Sequence, residues 1–539
     1  MHPLVLPLAG LALAAFTISY AVRAIEKRNA KFNPRGLPGP WLVPWVGRIH
    51  DLPINYMWLK FKEWADIYGP IYRTKMLGAN VVIVSDETIA EEILVKRARN
   101  YSDRPTVQSL VDSKSTHGSM EYLPLMGKNM YWARQRKLTH SLLIEATNLD
   151  YRGVMEFETK RWLNVLLNEP DNFCYSLEDF AAKIMCTLAW DDHSLSDDCN
   201  KSAWGLLEQM SPAGPITNVL TPLWHIPEII NPWKKAERIR HDTQQVWWME
   251  RLTNTRRLME KGEQRPCFSR KFLETAEKTT ISGDKEASNM IGMAALVGIF
   301  TVAGPLFYFL VAMIHHPEWQ RKCQEEIDSV LQGRAPTVAD KPQLPILRAC
   351  LKETMRWRPN VPTGVAHECE ADDWYKGFYF PKGTRIVPLD YAFLRNEQKY
   401  PDPESFRPER WLEAGWPTFQ EPLTKFPSIK GMTSFGWGQR KCLGQALTED
   451  ELVVGCGGLM WAFNLKKKVD VKTGLELEVP TDKSNSLLII KPDPFEMAFE
   501  PRSVERKAQV QELWREAQVQ DAEERRQFLK AADGEKTLI

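Results

Sequence analysis

A mainly α-helical fold with a small β region, set behind an N-terminal transmembrane helix, is what the 539-residue sequence predicts. Three observations carry that prediction. Residues 290–316 are apolar on every face, which marks a helix buried on all sides. Residues 156–200 and 447–463 also read as helices and 505–530 as a solvated helix or a partly disordered tail, while a short strand signal stands at Val81-Val82-Ile83-Val84-Ser85 with Ile71-Tyr72-Arg73-Thr74 as its candidate partner. Finally, residues 4–22 carry no charge. As a helix that run spans about 28 Å, close to the ~30 Å hydrocarbon core of a bilayer.

Arg23, Lys27, Arg28, Lys31 and Arg35 follow the run against a single Glu26. That order predicts an uncleaved anchor with the body of the protein in the cytosol, since a cleaved signal peptide places its positive charge before the apolar run. Pro34-Arg35-Gly36-Leu37-Pro38-Gly39-Pro40 is a stiff, non-helical joint. A net charge of +1 argues against a nucleic-acid partner. Nine cysteines without a C-x-x-C pair speak against a zinc site and against covalent haem attachment, and fit a reducing compartment. Twenty tryptophans call for large apolar pockets or a membrane-facing side.

The chemistry concentrates in residues 435–444, Phe-Gly-Trp-Gly-Gln-Arg-Lys-Cys-Leu-Gly. Cys442 is a candidate thiolate ligand for a haem iron. Gly438 permits a tight turn, and Gly444 leaves room for a flat cofactor where a helix begins. Arg440 directs a permanent positive charge toward propionate anions, and Phe435 shields the sulfur from water. A lone buried structural cysteine is the alternative. In Trp132-Ala133-Arg134-Gln135-Arg136, Trp132 and Arg136 are four apart on one helix face. Both are donors only, which suits an anion such as a propionate; an aromatic–cation pair is the alternative. Arg134 and Lys137 on other faces, with Lys441, form either a basic docking patch or solvated surface charge. Glu353 and Arg356 stand at i and i+3 in a half-buried stretch, a salt-bridge spacing.

The pattern F-x-x-G-x-R-x-C-x-G resembles the haem-binding loop of the cytochrome P450 monooxygenases, and the other motifs resemble that family in its order, from about Leu37 to Arg502. The resemblance implies the cytochrome P450 fold, with a membrane anchor at 1–24, a basic and proline-rich hinge at 25–40, a catalytic domain at 41–502 and a charged helical or disordered tail at 503–539. It brings Arg410, in Phe406-Arg407-Pro408-Glu409-Arg410-Trp411, to the carboxylate of Glu353, so that Glu353, Arg356 and Arg410 lock the loop beneath the haem. It aligns 295–302 with the family's oxygen-binding segment, where Gly298 leaves space over the iron and Thr301 helps deliver protons. A mid-helix Thr that bonds the carbonyl of Val297 is compatible with that role. His367 aligns with a propionate contact, against a buried structural histidine as the alternative. Residues 221–233, apolar and proline-broken, read as a substrate-entry lid or a buried loop.

The sequence departs from the family at Phe300, where most members carry an acid before the threonine. Phe relays no proton, so delivery runs through Thr301 and water or through a substrate group, or the outcome is oxidative coupling, ring expansion or desaturation. The cofactor implied is heme b, iron protoporphyrin IX with Cys442 as axial ligand. Gly455-x-Gly457-Gly458 lacks the spacing of a dinucleotide fingerprint, and no flavin motif appears. Electrons from NADPH therefore arrive through a partner, by resemblance the NADPH–cytochrome reductase, with cytochrome b5 as a further partner. The chain is most similar to fungal microsomal members that tailor secondary metabolites, including mycotoxins. That implies the endoplasmic-reticulum membrane, contact with lipid, and a hydrophobic polyketide, alkaloid or peptide-derived substrate. A reductase-independent isomerase or dehydratase, and a non-catalytic haem-dependent lipid-binding protein, are the competing functions.

Overall fold

The two strand-like runs do pair. β1 (Ile71–Met76) and β2 (Ala79–Val84) are antiparallel, with Ile71 opposite Val84 and Thr74 opposite Val81. The β-branched run in β2 is buried from Val81 to Val84, as suits an inner strand. The computed structural model describes residues 17, 36–43, 46–110, 120–148, 152–218 and 220–536. The anchor expected at 4–22 lies, but for Thr17, outside the described residues. Contacts group the chain into a smaller unit, Met1–Pro105, Pro362–Phe393 and Gly436–Lys441, and a larger one, Thr106–Val361, Leu394–Phe435 and Cys442–Ile539.

The smaller unit holds α1 (Met57–Tyr68), which buries Trp58, Phe61, Trp64 and Ala65 on one face. It also holds β3 (His367–Glu368), β4 (Asp373–Tyr375), β5 (Phe378–Phe380) and β6 (Arg385–Pro388). The sheet order is β1-β2-β6-β3, with β6 parallel to β2 and antiparallel to β3, while β4 and β5 form a separate hairpin. Val82, Val84, Ile93, Leu94, Tyr101 and Ile386 belong to its core.

The larger unit is helical. Its long elements are α2 (Met130–Asn148), α3 (Arg152–Asn168), α4 (Phe173–Trp190), α5 (Ser196–Met210) and α6 (Pro232–Lys261). They continue with α7 (Asp284–His315), α8 (Pro317–Leu331), α9 (Pro345–Trp357), α10 (Gln445–Ala462) and α11 (Val504–Lys536). β7 (Phe463–Lys467) and β8 (Met497–Pro501) pair antiparallel. Among the described residues α7 alone is long and apolar enough to cross a membrane, and most of it is buried inside the protein. Its all-round apolarity is answered by packing. Gly292, for example, lets the Trp248 indole close on the helix, since a Cβ there would stand 2.3 Å from that ring.

The tail expected as a solvated helix or a disordered segment is a docked helix. Val510 and Ala517 of α11 are buried, and the Trp514 ring meets Phe157 at 5.4 Å. Arg506 stacks on Trp461 at 4.4 Å, and Asp521 pairs with Arg265 at 2.7 Å. The proline-broken segment folds as two short 3-10 turns, Thr221–His225 and Glu228–Ile230. Trp224 is buried there, whereas Ile229 and Ile230 are 91% and 69% exposed.

Candidate haem-thiolate site

In the larger unit Cys442 precedes the first turn of α10, where backbone N–H groups and the helix dipole favour a negative sulfur. The Cys442 N–H donates to the Phe435 carbonyl at 2.7 Å, and the Gly444 N–H donates to Cys442 Sγ at 3.3 Å. Phe435 is buried. Burial among protein atoms pushes the Cys442 thiol up, while the Gly444 N–H and the Arg136 guanidinium pull it down. Cys442 is nevertheless the one exposed cysteine of the nine. A Cβ at Gly444 would meet nothing but Sγ, at 3.9 Å, so the chain does not wall that side of the sulfur. A soft sulfur ligand, an open flank and the nearby Arg136 fit a haem thiolate.

α2 carries Trp132 and Arg136. Its first turn is capped by Asn129 Oδ1, which accepts from the Trp132 backbone N–H at 2.8 Å. The Trp132 ring is buried with Leu123 and Met126. Arg136 is close enough to Cys442 for each charge to act on the other, although burial pulls its guanidinium down from the ordinary value. Arg134 corrects the docking-patch expectation. Its Nε donates to Glu286 Oε1 at 2.7 Å, the Glu286 side chain is fully buried, and this arginine is tied to the first turn of α7. Lys137 remains exposed.

From 286 to 314 every residue of α7 is buried except Ala294, Val297, Gly298 and Thr301. Those four stand at i, i+3, i+4 and i+7, one face of one helix. Thr301 Oγ1 donates to the Val297 carbonyl at 2.6 Å, and the Thr301 carbonyl accepts from Asn360 Nδ2 at 2.9 Å. Phe300 is off this face, 1% exposed and in ring contact with Trp204 of α5 at 6.4 Å. Gly298 lies against α4. A Cβ there would stand 2.5 Å from Met185 Sδ, so the end of that flexible side chain of α4 occupies the notch glycine leaves on this half-buried face.

The lock around Glu353 forms. Arg356 donates through Nε at 2.9 Å and Nη2 at 2.8 Å, and Arg410 through Nε at 3.2 Å. All three side chains are 0% exposed. The motifs missed two further donors to the same carboxylate: the Trp411 indole at 3.1 Å and the Arg407 backbone N–H at 2.9 Å. Trp411 follows Arg410 directly and Arg407 stands three residues before it, and that closeness was the available signal. Five donors make this buried charge tolerable.

In the smaller unit Arg440 Nε donates to the Ser102 carbonyl at 2.6 Å. Gly438 has φ +52°, and a Cβ there would stand 2.2 Å from the Leu94 carbonyl oxygen, so two constraints require glycine. His367 Nδ1 lies 2.7 Å from the Tyr101 carbonyl oxygen, which only accepts, so the proton sits on Nδ1. Burial and the Arg104 and Arg440 charges hold the imidazole well below its ordinary pKa. The buried structural alternative is the one this hydrogen bond supports. A cleft of about 560 Å³ beside α3 and α11 contains none of the motif residues and is separate from this chemistry.

The sequence profile of the family described as Cytochrome P450 matches residues 37–497. Cytochrome P450 monooxygenase virE of Hypocrea virens is 31% identical, covering 88% of this chain and 87% of that protein. Cytochrome P450 monooxygenase fogE of Aspergillus ruber is 29% identical over 88% of this chain and 89% of its own. Cytochrome P450 monooxygenase psoD of Aspergillus fumigatus is 31% identical over 75% and 79%. With the thiolate loop, the buried carboxylate lock and the threonine face in place, these matches make the chain a member of the cytochrome P450 monooxygenase family.

Proposed function

We propose that this enzyme oxidises a hydrophobic secondary metabolite, with electrons passed from NADPH by a separate reductase. The observation that carries the reading is the pairing of one exposed thiol, Cys442, with one accessible face on an otherwise buried helix, ending at Thr301. Heme b, when bound, supplies the redox-active iron and the dioxygen chemistry. Cys442 would be its ligand: burial raises the free thiol above its ordinary value, and the Gly444 N–H, the start of α10 and Arg136 offset part of that rise. Phe435 would shield the sulfur, Trp132 and Arg136 would hold a propionate, and Glu353, Arg356 and Arg410 would fix the segment that supports the loop. The Thr301 hydroxyl spends its own proton on Val297, so its lone pairs are free to accept from water. Phe300 and Trp204 add no acid to that route. Proton delivery rests on Thr301 and water, or on a group of the substrate.

The substrate class, a polyketide, alkaloid or peptide-derived compound, rests on the resemblance to fungal microsomal members of the family. Residues 4–22 anchor the protein in the endoplasmic-reticulum membrane with the catalytic domain in the cytosol, and Ile229 and Ile230 are apolar contacts for the same bilayer. Cytochrome b5 is a second electron donor in this reading. The reaction test is reduced, carbon-monoxide-treated microsomes: Cys442→Ala abolishes the red-shifted Soret band, and its survival sinks the proposal. Phe300 favours one alternative, an isomerase or dehydratase that needs no reductase. Turnover of the pathway precursor without NADPH decides for it, and strict dependence on NADPH decides against it.

A further inference from the structure

Pro305 lies inside α7. A proline has no N–H, so the carbonyl four residues earlier loses its helical donor and is pushed aside by the ring. That carbonyl belongs to Thr301. Its replacement donor comes from outside the helix: Asn360 Nδ2 stands 2.9 Å from the Thr301 oxygen. Asn360 is itself buried, and its own carbonyl accepts the Ile490 N–H at 2.8 Å. Gly304 makes the approach possible. A Cβ at 304 would stand 2.8 Å from the Ile490 carbonyl oxygen and 3.2 Å from Asn360 Cβ. At the same residue the Thr301 hydroxyl donates to Val297 at 2.6 Å, so side chain and backbone of Thr301 are both held.

We infer that Gly304, Pro305 and Asn360 form one device, in which the Asn360 amide substitutes for the N–H that Pro305 lacks and fixes the orientation of Thr301. Asn360 is thus a positioning residue, acting through Thr301. The inference builds on the proton-delivery reading of Thr301 given above. It makes Asn360 conditional: the residue matters because position 305 is proline. A residue that only filled space would matter equally with either residue at 305.

The test is a double-mutant cycle on the full-length, haem-loaded protein. Asn360→Leu keeps the shape and removes the donor, and Pro305→Ala returns an N–H to the helix. Two readouts are taken: amide hydrogen exchange of peptides around 301, and the dissociation constant of imidazole as a probe of the adjoining space. With Pro305 present, Asn360→Leu speeds exchange about fivefold or more and shifts imidazole affinity about threefold or more. In the Pro305→Ala background the same substitution changes each by less than about twofold. Equal effects in both backgrounds overturn the inference. Should Asn360→Leu fail to fold, recovery of folded protein on adding Pro305→Ala supports the device, and continued failure overturns it. Thr301→Val is measured alongside. Unchanged peroxide release per NADPH in that variant removes the proton-delivery role of Thr301 but leaves the exchange cycle to stand or fall separately.

Discussion

Glu451 shows how much one residue can govern. It lies fully buried in α10, and its Oε1 finds no partner among the described residues. Burial pushes its carboxyl from 4.5 to about 8. A carboxyl whose folded pKa is raised contributes stability that is complete below the unfolded value and drains as pH rises through the folded one. Wild-type melting temperature should therefore fall between about pH 5 and pH 8, and Glu451→Gln should flatten that fall in calorimetric scans. A slope unchanged by the substitution would exclude Glu451 as its source. Gly438 gives a sharper local case. Gly438→Ala meets both a positive φ and the Leu94 carbonyl, so denaturant titration should show a loss of at least ~2 kcal/mol. The lock is costlier still. Glu353→Gln leaves two buried guanidiniums without their counter-charge, an expected loss of about 3–5 kcal/mol with little haem-loaded protein recovered, as absorbance per mole of chain reports.

At the scale of elements, helix contacts explain what sequence spacing could and could not foretell. Glu353 and Arg356 are three residues apart, so their pairing was legible from the period of a helix. The hairpin of β1 and β2 was legible from its β-branched run. Met185 against Gly298 was not, because the two lie on α4 and α7 and no local pattern announces which side chain fills a glycine notch. Arg134 was misread for the same reason, its partner Glu286 being distant in sequence. The notch yields a testable coupling. Gly298→Ala should cost about 1 kcal/mol or less, because the atoms it meets are the movable end of Met185, and Met185→Ala should remove that cost when combined with it, as equilibrium unfolding of the four proteins would show. For Thr301 the sequence held half of the arrangement: Pro305 announces an orphan carbonyl, but only the fold brings Asn360 to it.

Across the whole molecule, the segment after the family match ends at 497 is part of the folded body. α11 covers Trp461 and Phe157 and links Arg265 through Asp521. Removing residues 504–539 should lower the melting temperature by several degrees, since it exposes the apolar surface that Val510 and Ala517 now cover. An unshifted melting curve would make the helix a passive appendage. The composition of this segment, rich in Glu, Arg and Gln, hid its docking because the buried stripe is so narrow.

The distribution of the nine cysteines has a practical consequence. Cys442 is exposed, Cys174 is partly covered, and the other seven are buried. An alkylating reagent offered briefly to haem-free protein should therefore mark Cys442 ahead of every other thiol, whereas coordination to iron would protect it. Mass spectrometry of the labelled chain then gives a census of cofactor occupancy, molecule by molecule, without a spectrum and without knowing the substrate.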